Sequence, residues 1–194
     1  MKIVKFEDFS TYGGWENFSF LKVTTDEGLV GGAEFNEARG RKGLTGLIHS
    51  MGEGLIGEDP RNLARIDAML YAQTRSTTGG LQSHAMAAIV NACLDIKGKS
   101  LGVPVYELLG GAIRDRLPVY WSHCGFFRAR YASLFDGKVI ASPAVRTLDD
   151  IRQTGREARE RGFKALKTNL VIFDDKGARP YSPGFGRGAG APEL

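Results

Sequence analysis

Lys167 and Asn169 are the residues of this sequence whose types and spacing could do chemistry. They lie in the segment Phe-Lys-Ala-Leu-Lys-Thr-Asn-Leu, residues 163–170, which directly follows Gly162. Residues two apart on a β-strand point to the same side, so a strand here projects both side chains from one face. A lysine in an α/β interior is costly to bury unless its charge is used. It could bind an anionic substrate or remove a proton. The alternative is a surface strand whose lysines are solvated.

A strand–helix–strand unit is predicted to position this segment. Residues 117–122 form a short apolar strand, and an irregular stretch follows up to Arg146. Thr147-Leu-Asp-Asp150 resembles a capping box, so we expect a helix from there to Gly162. A strand, a helix and a second strand in this order form a βαβ unit, which requires a parallel sheet. Proline and glycine after Asp174 predict a flexible tail.

The first part of the chain predicts a three-stranded antiparallel meander followed by helices. Aromatic and β-branched residues favour the strands, and Asp26-Glu27-Gly28 favours a hairpin turn. The connection at 11–17 is longer than a hairpin needs, and it suits either a mobile flap or a plain loop. The strands are predicted at 2–10, 18–25 and 31–35, and the helices at Asp59-Pro60 onward, 81–100 and 105–109.

The helix at 81–100 carries a wide apolar arc, which implies burial against two neighbours. Cys93 lies in this arc and is therefore predicted to be a core residue, not a nucleophile. The opposite side has His84, Asn91 and Asp95. We expect that side to be solvated, with a polar interface as the alternative.

Composition excludes several classes of protein. The net charge of +4 is small and the basic residues are mixed with acids, so we expect no nucleic-acid partner. No run of eighteen apolar residues and no signal-peptide core is present, so we expect no membrane partner. Cys93 and Cys124 lack the spacing of metal ligands or a redox motif, which indicates a reduced, cytoplasmic protein.

Two motifs resemble the enolase superfamily, and more narrowly its mandelate racemase and muconate lactonising group. The first is Asp-Ile-Lys-Gly-Lys-Ser-Leu-Gly-Val-Pro-Val-Tyr-Glu-Leu-Leu-Gly-Gly at 95–111. The second is Gly-Phe-Lys-Ala-Leu-Lys-Thr-Asn at 162–169, which is similar to the second barrel strand of that group, where Lys-x-Lys is usual. The resemblance extends to about residue 173. It implies an α+β N-terminal capping domain at 1–115. Residues 116–194 are then the first two βα units of a (β/α)8 barrel that is incomplete in this chain, with a flexible Gly/Pro-rich tail.

The resemblance also implies a reaction. Members of the group bind Mg²⁺ and remove the α-proton of a carboxylate substrate, which requires stabilisation of the charge that develops. Their metal ligands are carboxylates on the third to fifth barrel strands, so we expect those ligands beyond residue 194 and none within it. We therefore expect this chain alone to be inactive, and the complete enzyme to be a homo-oligomer.

The resemblance gives roles to individual residues. Lys167 takes the first position of Lys-x-Lys, beside the substrate carboxylate. Asn169 takes the second, where a lysine is often the base, and an asparagine does not accept a proton near pH 7. A dehydratase of sugar acids whose base is a histidine on a later strand fits this difference best. Ser122 and His123 lie at the end of the first barrel strand, where barrel enzymes gather their catalytic residues. His123 is expected to contact a substrate hydroxyl, with a purely structural histidine as the alternative. The resemblance also implies substrate contacts from Tyr12 and Trp15 in the first loop, and from Arg39 or Arg41 in the segment 36–42.

Other functions remain open from the sequence. A racemase, an epimerase or a cycloisomerase of the same superfamily uses the same first step. A non-catalytic, cap-like module that binds an acid or pairs with a partner chain is the alternative outside enzymes.

Overall fold

The computed structural model describes residues 1–14, 16–38, 41–77, 79–135, 137, 140–175 and 177–181. The chain divides into two compact units, Met1–Asp115 and the residues from Arg116 onward. Among the helices in the described ranges, none combines the length and the apolar character needed to cross a lipid bilayer.

The first unit contains the predicted meander. Its strands are antiparallel in the order β1-β2-β3, which confirms the fold class expected for this part. Tyr12 still pairs with Asn17, so the connection is shorter than the predicted 11–17 and begins at Gly13. The Gly13 N–H donates to the Glu16 carbonyl at 2.9 Å, which closes the turn. The strands are β1 (Ile3–Tyr12), β2 (Asn17–Thr25) and β3 (Val30–Phe35).

Within the described residues of this unit, four helices follow the sheet: α1 (Leu44–Glu53), α2 (Leu63–Thr74), α3 (Gly80–Leu101) and α4 (Val105–Leu108). The sequence did not predict α1, which begins at a glycine without a side-chain cap. The helix predicted from Asp59-Pro60 onward corresponds to α2, but its predicted start is too early. The Asp59 carboxylate pairs with the Arg61 guanidinium instead of capping a helix, and α2 begins after Asn62.

The core of the first unit lies between one face of the sheet and the helices α1 to α3. Cys93 is fully buried within it, which confirms its prediction as a core residue. Burial raises the pKa of its thiol to about 12, so it is not a nucleophile at neutral pH. His84 and Asn91 are exposed as expected, whereas Asp95 accepts the Gly32 N–H at 2.8 Å. Side chains of the core include Leu21, Val23, Leu44, Ile48, Ile66, Leu70, Ile89 and Ile96.

The described residues of the second unit form one short helix, one 3-10 turn, one long helix and a hairpin. These are α5 (Phe126–Arg130), a 3-10 turn (Ala132–Phe135), α6 (Leu148–Glu160), β4 (Val171–Asp174) and β5 (Gly177–Pro180). The capping box of α6 is confirmed, since Asp150 N–H donates to Thr147 Oγ1 and Asp150 Oδ2 accepts the Thr147 N–H.

Three predictions for the second unit were wrong. The strands predicted at 117–122 and directly after Gly162 do not form as strands, because only one isolated parallel bridge, between Trp121 and Leu166, joins these fully described segments. Residues 123–146 are not wholly irregular, because α5 forms within them. The tail is not a flexible loop from Asp174 onward, because β5 pairs with β4 in an antiparallel hairpin. Gly177 at a φ of +95° begins β5, and Arg179 pairs with Asp174 at 2.9 Å. The remainder of the predicted tail, 182–194, lies outside the described residues.

Candidate functional site

Two chain segments of the second unit run parallel and bring the predicted site residues Ser122, His123 and Lys167 together. Trp121 and Leu166 form a parallel β-bridge. The Lys167 N–H donates to the Trp121 carbonyl at 3.0 Å, and the Cys124 N–H donates to the Lys167 carbonyl at 2.9 Å. The backbone of Ser122 and His123 therefore lies beside that of Lys167. In barrel enzymes, catalytic residues come from this carboxyl end of parallel strands.

The side chains of Lys167, Asn169 and Ser122 are exposed. Of the two positions that the sequence left open for Lys167, a buried interior and a solvated surface, this chain shows the solvated one. The physical reason is that one bridge joins only two parallel segments here, so the described part of the unit has no closed barrel to bury the lysine. The β-bridge between the two segments involves Leu166 and does not extend to Asn169. That the side chains of Lys167 and Asn169 point to the same side therefore remains a prediction.

Thr168 strengthens the pairing in a way the sequence did not suggest. Its Oγ1 donates to the Cys124 carbonyl at 2.9 Å. Cys124 itself is buried, and burial raises the pKa of its thiol, so it acts as a packing residue. The signal that could have indicated this contact is the β-branched, hydroxyl-bearing residue directly after Lys167.

A groove of about 320 Å³ lies between α6 and the segment that contains Asn169. Its walls are mainly apolar, and Thr154, Thr168 and Asn169 supply its polar side chains. Leu166 and Leu170 are both at least half exposed beside it. The lining residues are Cys124, Ile151, Thr154, Gly155, Leu166, Thr168, Asn169, Leu170, Val171 and Phe173.

A buried ion pair holds the first parallel segment in place. The Arg128 side chain of α5 is 7% exposed and donates to Glu157 of α6 at 2.5 and 3.1 Å. Its guanidinium also lies 5.0 Å from the centre of the Trp121 ring. The hydrogen bond from Arg128 is the main reason why the pKa of Glu157 is lowered. Sequence spacing gave no signal for this pair, because its members are 29 residues apart.

His123 has an unusual conformation at the end of the first parallel segment. Its φ is +54°, in the left-handed region that non-glycine residues seldom adopt. Its ring stacks on Phe127 with 4.5 Å between ring centres and lies 5.8 Å from Phe126. Its Nδ1 is buried and has no hydrogen-bond partner among the residues that the structure describes. The sequence gave no sign of this strained geometry.

The remaining predicted contacts belong to the first unit. Tyr12 is 66% exposed at the end of β1, and its hydroxyl donates to the Gly14 carbonyl. Arg41, the alternative to Arg39, uses its Nε to donate to the Ala38 carbonyl at 3.2 Å. Trp15 and Arg39 lie outside the described residues.

Glu37 fixes the segment in which Arg41 lies, and the sequence did not predict this. Its carboxylate accepts the Gly43 N–H at 2.6 Å, the Thr45 N–H at 2.7 Å and the Thr45 hydroxyl at 2.8 Å. Burial acts to raise the pKa of this carboxyl, but the hydrogen bonds from Thr45 and the backbone together lower it. Glu37 therefore stays ionised and holds the loop to the start of α1.

The described residues do not fit a magnesium site. Within them, no three His, Cys, Asp or Glu side chains converge closely enough to hold a metal ion. Mg²⁺ prefers several oxygen ligands in octahedral geometry, and one isolated carboxylate does not supply them.

Comparison with known proteins finds a matching family and several similar proteins. Residues 11–110 match the family described as mandelate racemase / muconate lactonizing enzyme, N-terminal domain. A D-galactonate dehydratase of Variovorax paradoxus is 42% identical over 121 residues, which is 62% of this chain and 31% of that protein.

Solved structures resemble the chain over most of its length. A candidate L-alanine-DL-glutamate epimerase of Burkholderia xenovorans is 45% identical, with a TM-score of 0.89 over 95% of this chain and 46% of that one. A second structure of it, with a TM-score of 0.88, contains magnesium and fumarate. A candidate dehydratase of Zymomonas mobilis is 30% identical, with a TM-score of 0.74 over 91% of this chain and 44% of that one. The chain therefore spans less than half of the length of these structures.

Proposed function

We propose that this chain, which belongs to the mandelate racemase / muconate lactonizing enzyme family, forms the N-terminal part of a sugar-acid dehydratase. In this reaction the α-proton leaves the carbon next to the carboxylate, and the β-hydroxyl then leaves as water. The resulting enol becomes a 2-keto-3-deoxy acid. The two units of the chain correspond in this proposal to the capping domain and to the first two βα units of the barrel.

One observation carries the proposal. The parallel pairing sets Lys167 beside Ser122 and His123 at the carboxyl ends of adjacent segments. A cation and two hydrogen-bonding side chains are the groups that a carboxylate with neighbouring hydroxyls requires. The similarity to a D-galactonate dehydratase supports this substrate class.

Lys167 and Asn169 have different tasks in this proposal. The Lys167 ammonium binds the substrate carboxylate and opposes the negative charge that grows on it as the α-proton leaves. Asn169 has an amide that donates and accepts hydrogen bonds but is not a base. It therefore orients the substrate, and the base belongs to a part of the barrel outside the described residues.

Magnesium enters the proposal only as a requirement of the complete enzyme. A relative 45% identical to this chain contains magnesium and fumarate in one structure. The proposal places the ligands of this ion on further barrel strands. We expect calorimetric titration of this chain with Mg²⁺ to show no tight binding, and tight binding would contradict this division of roles.

An epimerase is the second candidate, because a similar structure is that of a candidate epimerase. A two-base epimerase needs a base on each side of the substrate, and Asn169 does not provide one from this strand. Dehydration needs only one base and a leaving group, so it suits Asn169 better.

A completed enzyme tests the choice between these reactions. We define it as residues 1–173 of this chain followed by the remaining barrel of the Burkholderia xenovorans relative. With Mg²⁺ and a panel of sugar acids, we expect 2-keto-3-deoxy products from at least one acid. The parent relative, assayed with the same panel, is the control for activity that its own barrel supplies. Exchange of the α-proton for solvent deuterium without dehydration would instead identify an epimerase.

A further inference from the structure

The strained conformation of His123 is not explained by stability. A histidine in the left-handed region has a strained backbone, and a buried polar atom without a partner adds a further cost in stability. Its φ of +54° and its unpartnered Nδ1 are two separate signs of such a cost. Residues that keep unfavourable features of this kind cluster at functional sites.

The burial of Nδ1 decides which ring nitrogen holds the proton. A neutral imidazole has one N–H donor and one acceptor nitrogen. An N–H buried without a partner is rarer in proteins than an acceptor left without one. Nδ1 of His123 has neither a donor nor an acceptor within reach in the described part of the chain. The less costly arrangement leaves its lone pair there and puts the proton on Nε2.

The second nitrogen is the one that can reach a ligand. His123 is partly exposed, and Nδ1 is its buried ring nitrogen. Stacking on Phe127, and the contact with Phe126, restrict rotation of the ring. The Nε2–H is therefore presented in a fixed direction at the end of the segment that pairs with Lys167.

We infer that His123 is a neutral hydrogen-bond donor, through Nε2–H, to an oxygen of the bound acid, and that it is not the base of the reaction. The inference rests on the proposed function for the identity of that acid. A nitrogen that already holds its proton does not accept the α-proton, whereas its N–H can bind a hydroxyl or carboxylate oxygen. Together with the Lys167 ammonium, the His123 N–H orients the bound acid but brings no additional charge.

Nitrogen NMR of the 194-residue chain tests the protonated position directly. Long-range ¹H–¹⁵N spectra distinguish the two neutral tautomers and the imidazolium ion. At pH 8 we expect His123 to be entirely in the Nε2–H form. His84 is exposed and is the matched control, expected to show the tautomer mixture of a free imidazole. A populated Nδ1–H form at His123, or the same mixture as at His84, would overturn the inference.

The completed enzyme provides the second measurement. His123→Phe keeps an aromatic ring against Phe127 but removes the donor. We expect kcat/KM to fall about 10- to 100-fold, mainly through a higher KM, because one hydrogen bond to the acid is lost. An unchanged kcat/KM would show a purely structural residue, and a loss confined to kcat would indicate a base. If the completed enzyme dehydrates no sugar acid, the proposed function fails while the spectra still decide the tautomer.

Discussion

Replacing Lys167 with Met in the completed enzyme is expected to lower kcat/KM about 1,000-fold. Met is of similar length but has no charge, so the substrate carboxylate loses the cation that opposes its growing charge. Lys167 is exposed in this chain, so the substitution removes no packing contact and the fold should be retained. Product formation with the best sugar acid of the panel, and thermal unfolding, are the measurements.

Lys164 supplies the matched control for this substitution. It is also exposed and lies three residues earlier, with the opposite parity along the segment. Lys164→Met is expected to leave kcat/KM within about twofold of the parent enzyme, since effects below about 0.5 kcal/mol are normal at such surface sites. Equal losses for both variants would mean that neither lysine has a specific position, and full activity of Lys167→Met would remove Lys167 from the site.

Replacing Gly31 with Val is expected to destabilise the first unit by about 3 kcal/mol or more. A Cβ at Gly31 would lie 2.1 Å from the Ala92 carbonyl oxygen and 2.7 Å from Ile96 Cγ1. The first of these atoms belongs to the backbone of α3, so relief requires the helix to move away from β3. Urea unfolding followed through the reactivity of the buried Cys93 thiol measures the loss.

Gly32 is the control because it neighbours Gly31 on the same strand. A Cβ there would meet only Asp95 Oδ2, at 3.9 Å, so Val has room. Valine also favours strands, so Gly32→Val is expected to be neutral or slightly stabilising. If Gly31→Val were as stable as Gly32→Val, the close packing of α3 on β3 would be wrong.

Local patterns explain what the sequence predicted well. The meander follows from residues that favour strands and from a Gly28 turn, and α3 follows from an apolar arc with a period of 3.6. The capping box at Thr147 is likewise a pattern of four residues. Helix α1 was missed because its start is held by Glu37, six residues before Gly43, and not by an adjacent cap.

The site was harder to predict because its geometry comes from distant contacts. The pair of Arg128 and Glu157 joins residues that are 29 positions apart in sequence. The buried, unpartnered Nδ1 of His123 corresponds to no residue pattern that the sequence displays. The sequence also left open whether Lys167 is buried or solvated. Burial of a strand residue is a property of the closed sheet around it, and one parallel bridge does not supply such a sheet.

The most direct test of the central claim is a crystal structure of the completed enzyme with Mg²⁺ and a sugar acid that it dehydrates. The account predicts that Lys167 Nζ lies about 2.7–3.2 Å from a carboxylate oxygen of the acid. It would be contradicted if the carboxylate were held by other residues while the Lys167 ammonium faced bulk water.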